Sequence, residues 1–237
     1  MSPVSKRVAI VQPNYIPWKG YFDLIASCDI FILYDDVQYT KNDWRNRNLI
    51  KTPMGRRWLT IPVGGKISRL IKDVEIIDTA WRESHWKSLL MNYSRAEFSR
   101  EIFSLLEPLY FASQCKNLVS VNKIFLETIC GYLGIETEII LSSTLPARAA
   151  GSEGVLTLCK EVDATIYISG PSAKSYLRVS DFELAGVDIE WFDYSNYEEY
   201  RQLWGPFEHQ VTILDLLFNC GPLAHKKMKM KGKVLRT

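Results

Sequence analysis

The side chains best suited to chemistry gather in four short segments, three of which begin where an apolar run stops. The first is Gln12-Pro-Asn-Tyr-Ile-Pro-Trp-Lys-Gly20. Gln12 and Asn14 offer amides, Lys19 a positive charge, and Tyr15 and Trp18 flat apolar faces, a mixture that suits a polar ligand carrying a ring. Two prolines and two aromatics can equally serve to stiffen and pack a loop. The second segment is the pair Asp35 and Asp36. Adjacent residues of extended backbone point to opposite sides, so one acid is expected to face a site, where it could bind a hydroxyl, ligate Mg²⁺ or act as a general base. The other is expected to cap a helix or a turn. The third segment, Lys41 to Asn48, holds Lys41, Arg45, Arg47, three asparagines ending in Asn48, and the indole of Trp44. Arginine grips phosphate or carboxylate with a planar fork, and tryptophan stacks on a base or a sugar. Solvated basic loops are common, but they seldom contain so many amides. The fourth, Ser169-Gly170-Pro-Ser172-Ala-Lys174, can turn backbone N–H groups and hydroxyls toward a phosphate. It matches neither G-x-G-x-x-G nor the P-loop pattern, and a plain tight turn would look the same.

Further candidates are scattered. Among three histidines, His85, His209 and His225, only His85 is considered as a general acid or base, with a packing role as its alternative. None has zinc-ligand spacing with the cysteines, so no metal site is assigned, and no motif specifies a cofactor. The absence of G-x-S-x-G removes the commonest serine-hydrolase reading. Asp215 and Asn219, four apart in a greasy helical stretch, share a face and could reach a site or hold another loop.

These segments must be positioned by the runs between them. The chain has 237 residues, 47% hydrophobic and 24% charged, enough for one sizeable core. Strands are predicted at Val8–Val11, Asp29–Tyr34, Arg57–Val63, Asp73–Ile77, Glu136–Leu141, Thr165–Ser169 and Val187–Phe192. Gln38–Pro53 reads as a polar loop. Helices are predicted over Gly20–Ser27, Ser152–Val162, from Ser172 onward, and along Ile213 to the Gly221-Pro222 stop. Between Trp81 and Gly134 the period turns helical, giving two or three consecutive helices. The recurring strand–helix–strand order predicts an α/β fold: a mostly parallel, Rossmann-like sheet flanked by helices, with a helical segment inserted at 81–134. Residues 1–222 form one expected domain and 223–237 a basic tail.

The formal charge of +2 is too small to mark a polyanion-binding protein, but it is uneven. Lys226, Lys227, Lys229, Lys231, Lys233 and Arg236 crowd the end without an acid, and a frayed, solvated terminus is expected there. Five cysteines without a C-x-x-C pair suggest reduced thiols in the cytoplasm. No apolar run is long enough for a membrane span, and no signal peptide is evident.

The blocks V-A-I-V-Q-P-N-Y-I-P-W-K-G-Y-F-D (Val8 to Asp23), Y-D-D-V-Q-Y-T-K-N-D-W-R-N-R-N (Tyr34 to Asn48) with W-L-T-I-P-V, Y-I-S-G-P-S-A-K-S-Y-L (Tyr167 to Leu177) and L-D-L-L-F-N-C-G-P (Leu214 to Pro222) resemble the WbqC-like family. That resemblance implies a place among bacterial surface-polysaccharide (O-antigen, lipopolysaccharide) proteins, and a transferase acting on a nucleotide-linked amino sugar. N-acylation, such as glycyl transfer from an aminoacyl-tRNA or another activated acyl donor, is the reaction it suggests. A looser likeness to nucleotidyl-transferring α/β folds lacks their H-x-G-H signature, since Pro17-Trp-Lys-Gly20 stands in its place. The alternatives are a non-catalytic ligand-binding or scaffold protein of the same machinery, and nucleic-acid contact through the basic segments.

Overall fold

The structure is a computed structural model and describes residues 5–112, 115–146 and 149–230. Its centre is a strand, β1 (Arg7–Val11), whose side chains alternate between two apolar layers. Val8 and Ile10 face one layer and Ala9 the other, and all three are buried. The chain leaves β1 through the helix α1 (Lys19–Ala26) and returns as β2 (Ile30–Leu33), parallel to β1. Later come β5 (Glu138–Leu141), α5 (Gly151–Glu161), β6 (Ile166–Ser169), α6 (Val179–Leu184) and β7 (Asp188–Trp191). The five strands form one all-parallel sheet in the order β5-β2-β1-β6-β7. Its inner strands read as continuous apolar runs because both faces are covered. Val155, Leu158 and Phe182 of α5 and α6 pack on one face, and α1 with the inserted helices packs on the other.

The order reverses at β1: the chain builds β2 and β5 on one side, then crosses to β6 and β7 on the other. Outside the carboxyl ends of β1 and β6 lies the crevice where parallel sheets of this type hold ligands.

The 81–134 region contains three helices, α2 (Trp81–Tyr93), α3 (Ser99–Phe111) and α4 (Leu118–Leu133), and α7 (Ile213–Cys220) follows the sheet. Several expectations are corrected. Gln38–Pro53 is not all loop: β3 (Arg47–Thr52) pairs antiparallel with β4 (Gly55–Thr60) in a hairpin separate from the main sheet. Asp73–Ile77 is not a strand but follows a 3₁₀ turn at Ile71–Asp73, with a lone bridge between Glu75 and Asn117. The helix from Ser172 is likewise a 3₁₀ turn, Pro171–Ser175. Residues 223–230 are not frayed. Met228 and Met230 pack against the core, and the Lys229 backbone N–H donates to Asp23 at 2.9 Å. Lys231, Lys233 and Arg236 lie outside the described residues.

One backbone position governs how the first loop reaches the crevice. Ile16 is 1% exposed and has φ +38°, a conformation that costs a β-branched residue about 1–3 kcal/mol. It persists because its carbonyl is held twice, by Asn48 Nδ2 at 2.9 Å and by Thr212 Oγ1 at 2.6 Å. Asn48 Nδ2 also donates to the Tyr15 carbonyl at 3.0 Å, and the Tyr15 N–H donates to the Trp44 carbonyl at 2.9 Å. Ile213 N–H closes the other side by donating to the Pro17 carbonyl at 2.9 Å. The loop, the hairpin and the start of α7 are thus fastened at one point.

Below it runs a buried polar chain. The Thr60 carbonyl, 3.2 Å from His85 Nε2, can only accept, so that nitrogen carries the hydrogen. His85 Nδ1 then accepts from Tyr15 Oη at 3.0 Å, and Tyr15 Oη accepts from Tyr110 Oη at 2.9 Å. Burial favours the neutral imidazole and pushes the His85 pKa down from 6.5 to about 4, against the Thr60 bond that raises it.

Asn48→Ala leaves the Tyr15 carbonyl without this donor and removes one of the two on Ile16, so a loss of about 2–4 kcal/mol in urea unfolding is expected. A loss below about 0.5 kcal/mol would show that the turn holds itself. For His85, the unfolded chain takes up the proton first as pH falls, so stability present above about 6.5 is lost on the way to 4, by at most about 3 kcal/mol. The difference in stability between the wild type and His85→Gln should therefore shrink from about pH 7 to about pH 5. A constant difference would contradict the buried neutral state.

Candidate ligand-binding cleft

The crevice opens into a cleft of about 640 Å³. One wall comes from the first loop, with Asn14, Pro17 and Trp18, and from the hairpin approach, with Trp44 and Asn48. The other comes from a strap, 193–211, that has no helix or strand and supplies Tyr194, Asn196, Tyr197, His209 and Gln210. The Trp18 ring centre stands 5.5 Å from that of Tyr194 and 5.4 Å from that of Tyr197. Trp18 takes this position by folding back over the start of α1. A β-carbon on Gly20 would stand 2.4 Å from its indole, so any larger residue there would force Trp18 out of this position.

The amide of Asn14 is oriented by Arg45. A guanidinium can only donate, so the atom 2.5 Å from Arg45 Nη1 is the Asn14 oxygen, and the NH₂ of Asn14 can donate elsewhere. Arg45 is held in turn by Asp43 at 3.1 Å. The lining is aromatic and amide-rich. Among the described residues it contains no carboxylate, and His209 contributes an imidazole to it. Among the described residues no group of three or more His, Cys, Asp or Glu is arranged to hold a metal ion.

The strap is anchored from beneath by two residues that looked like ligand contacts. Lys19 is 4% exposed, donates to the Glu198 carbonyl at 3.0 Å, and lies 4.9 Å and 5.2 Å from the ring centres of Tyr197 and Tyr200. Burial lowers its pKa to about 8, although Asp23 one turn along α1 works against the shift. The Asp215 carboxylate accepts from Tyr93 at 3.0 Å and from Tyr200 and Gln202 at 2.8 Å each. Burial pushes its pKa up, against these donors. Asn219 donates to the Asp215 backbone carbonyl at 2.7 Å, a bond internal to α7. Outside, Lys227 pairs with Glu198 at 2.8 Å and Lys229 with Asp193 at 3.1 Å.

Of the sequence candidates, then, Asn14, Trp18, Trp44 and Asn48 line the cleft, although the Asn48 amide is occupied by the Ile16 turn. Gln12 is not in the lining, and its backbone carbonyl accepts from Tyr21, while Tyr15 is buried. His85 is also buried, in the chain with Tyr15. Asp35 accepts from Ser143 N–H at 2.9 Å and Ser143 Oγ at 2.7 Å, and the single Ser142 hydroxyl hydrogen lies between Asp35 at 3.0 Å and Asp36 at 2.5 Å. Both acids therefore tie the ends of β2 and β5 together instead of lining the cleft. Ser169 is buried and bonded to Tyr167 at 3.2 Å, and Gly170 packs against Tyr194. Ser172 is exposed, and Lys174 lies over Trp191 at 5.1 Å, toward the β7 edge. Lys41 is exposed, and Arg47 lines a neighbouring groove. Tyr194, Asn196, Tyr197, His209 and Gln210 escaped the sequence reading. The available signal was a long aromatic-bearing stretch without periodicity, which compact domains keep mainly for function.

A family model described as the WbqC-like protein family matches residues 12–227. The chain is 49% identical over 218 residues to "Uncharacterized protein Rv1507c" of Mycobacterium tuberculosis (strain ATCC 25618 / H37Rv), covering 91% of this chain and 94% of that protein. No solved structure matches it. Among the described residues no helix is long and apolar enough to cross a membrane. The matched span takes in the strained first loop, the hairpin, the strap and α7, and the chain belongs to the WbqC-like protein family.

Proposed function

We propose that the cleft binds the sugar of a nucleotide-linked amino sugar and that the protein is a transferase acting on its amine in surface-polysaccharide assembly. The observation that carries this reading is the lining: indole and phenol rings facing amides, with no carboxylate among the described residues. Aromatic faces match the C–H faces of a pyranose, and amides match its hydroxyls. A glycosidase would need two flanking carboxyl groups, which this cleft does not offer.

In this reading His209 replaces Asp35, Asp36 and His85 as the base. A sugar ammonium must lose a proton before it can attack. His209 takes that proton, and the nitrogen lone pair then adds to the acyl carbonyl to form the C–N bond. The bond to the donor's leaving group breaks, and that group leaves with the second proton from the nitrogen. The acyl donor, an aminoacyl-tRNA or another activated acyl group, would approach from solvent. Five cysteines without a C-x-x-C pair accord with a reducing, cytoplasmic setting.

Screening by thermal shift against nucleotide-linked amino sugars is expected to find a ligand that, at about one hundred times Kd, stabilises by about 2.7 kcal/mol. Trp18→Ala should abolish the shift, and His209→Gln should keep the shift while losing product in a mass-spectrometric transfer assay. A shift unaffected by Trp18→Ala would rule out the cleft, and turnover unaffected by His209→Gln would rule out the base.

A further inference from the structure

Beside the cleft, on the outer side of the hairpin, lies a second groove of about 490 Å³ that shares Trp44 and Gln210 with it. Its floor is Trp58, 41% exposed, whose ring centre stands 5.4 Å from that of Trp44. The Arg47 guanidinium stacks over Trp58 at 4.2 Å, and Arg56 lies on the paired strand. Arg56 donates to Gln210 at 3.1 Å and reaches Glu208 at 3.5 Å. The acid in the groove lining, Asp43, is already paired with Arg45. Two guanidinium groups therefore stand beside two exposed indoles, next to a cleft that carries no carboxylate among the described residues.

We infer that this groove is the nucleoside diphosphate subsite of the cleft's ligand, with the diphosphate over Arg47 and Arg56 and the base stacked on Trp58. The inference rests on the sugar-binding reading of the cleft. The shared wall at Trp44 and Gln210 is where the bond between sugar and phosphate crosses. Stacking on Arg47 holds the indole, and the arginine keeps donors for an anion, since a guanidinium has five N–H groups and Arg47 has no carboxylate partner among the described ion pairs. An anion alone would need the arginines but not Trp58, whereas a nucleotide uses both.

Isothermal titration with UDP, dTDP, GDP, CDP and ADP, alongside pyrophosphate, tests this. At least one diphosphate should bind about tenfold or more tightly than pyrophosphate, and Trp58→Ala should remove that advantage. Arg56→Ala should weaken both and lower the salt dependence. Saturation-transfer NMR with free amino sugars should show contact that neither variant changes and that Trp18→Ala removes. Nucleoside diphosphates bound equally well by Trp58→Ala and Arg56→Ala would overturn the inference, as would pyrophosphate binding as tightly as all of them. Free sugar bound without any diphosphate would overturn the inference and leave the sugar reading intact. Binding of neither would overturn both.

Discussion

The backbone turn at Ile16 is the constraint on which the site depends. A β-branched residue in the left-handed region is unfavourable in its backbone, although the Ile16 side chain packs in the core. Asn48 from the hairpin and Thr212 before α7 hold its carbonyl from two directions. Elements far apart in the chain therefore meet at one peptide unit. The turn redirects the loop so that Pro17 and Trp18 face the crevice instead of continuing along the sheet edge. Tyr15, one residue earlier, goes the other way, into the buried chain with His85 and Tyr110. A single change of backbone direction thus separates a cleft-facing aromatic from a core-facing one.

The strap depends on the same logic at a larger scale. It has no backbone ladder of its own, so its position comes from side chains. Asp215 collects donors from α2 and the strap, and Lys19 places its charge against Tyr197 and Tyr200. Both are buried ionisable groups, and such groups are costly unless fully partnered. Their cost is offset by ordering the segment that completes the cleft. Exposed pairs such as Lys227 with Glu198 add little by comparison.

The sheet was legible because β1, β2 and β6 are buried on both faces, so their apolar runs survive as a pattern. The recurring strand–helix–strand order carries the parallel-sheet reading, and it extends to β5 and β7 although they include exposed positions. The hairpin was not legible in its first strand because Arg47, Asn48 and Lys51 are polar yet serve in a ladder, with Asn48 and Lys51 buried by specific hydrogen bonds. The first loop was recognisable by composition, but not the division of labour within it. Asp35 and Asp36 were expected at the carboxyl edge and do lie beyond β2, but the nearby hydroxyls of Ser142 and Ser143 come from a segment more than a hundred residues away. Contacts at that separation leave no local trace. The strap showed in sequence only as an aromatic-bearing stretch without periodicity, and only the fold places His209 in one cleft with Trp18.

The most direct measurement is a crystal structure of the protein soaked with a nucleotide-linked amino sugar. The account predicts the sugar ring against Trp18, within hydrogen-bond reach of Asn14 and Gln210, with Ile16 still in the left-handed turn. A ligand seated instead in the cavity of about 620 Å³ lined by Asp29, Glu136 and Glu190 would contradict it.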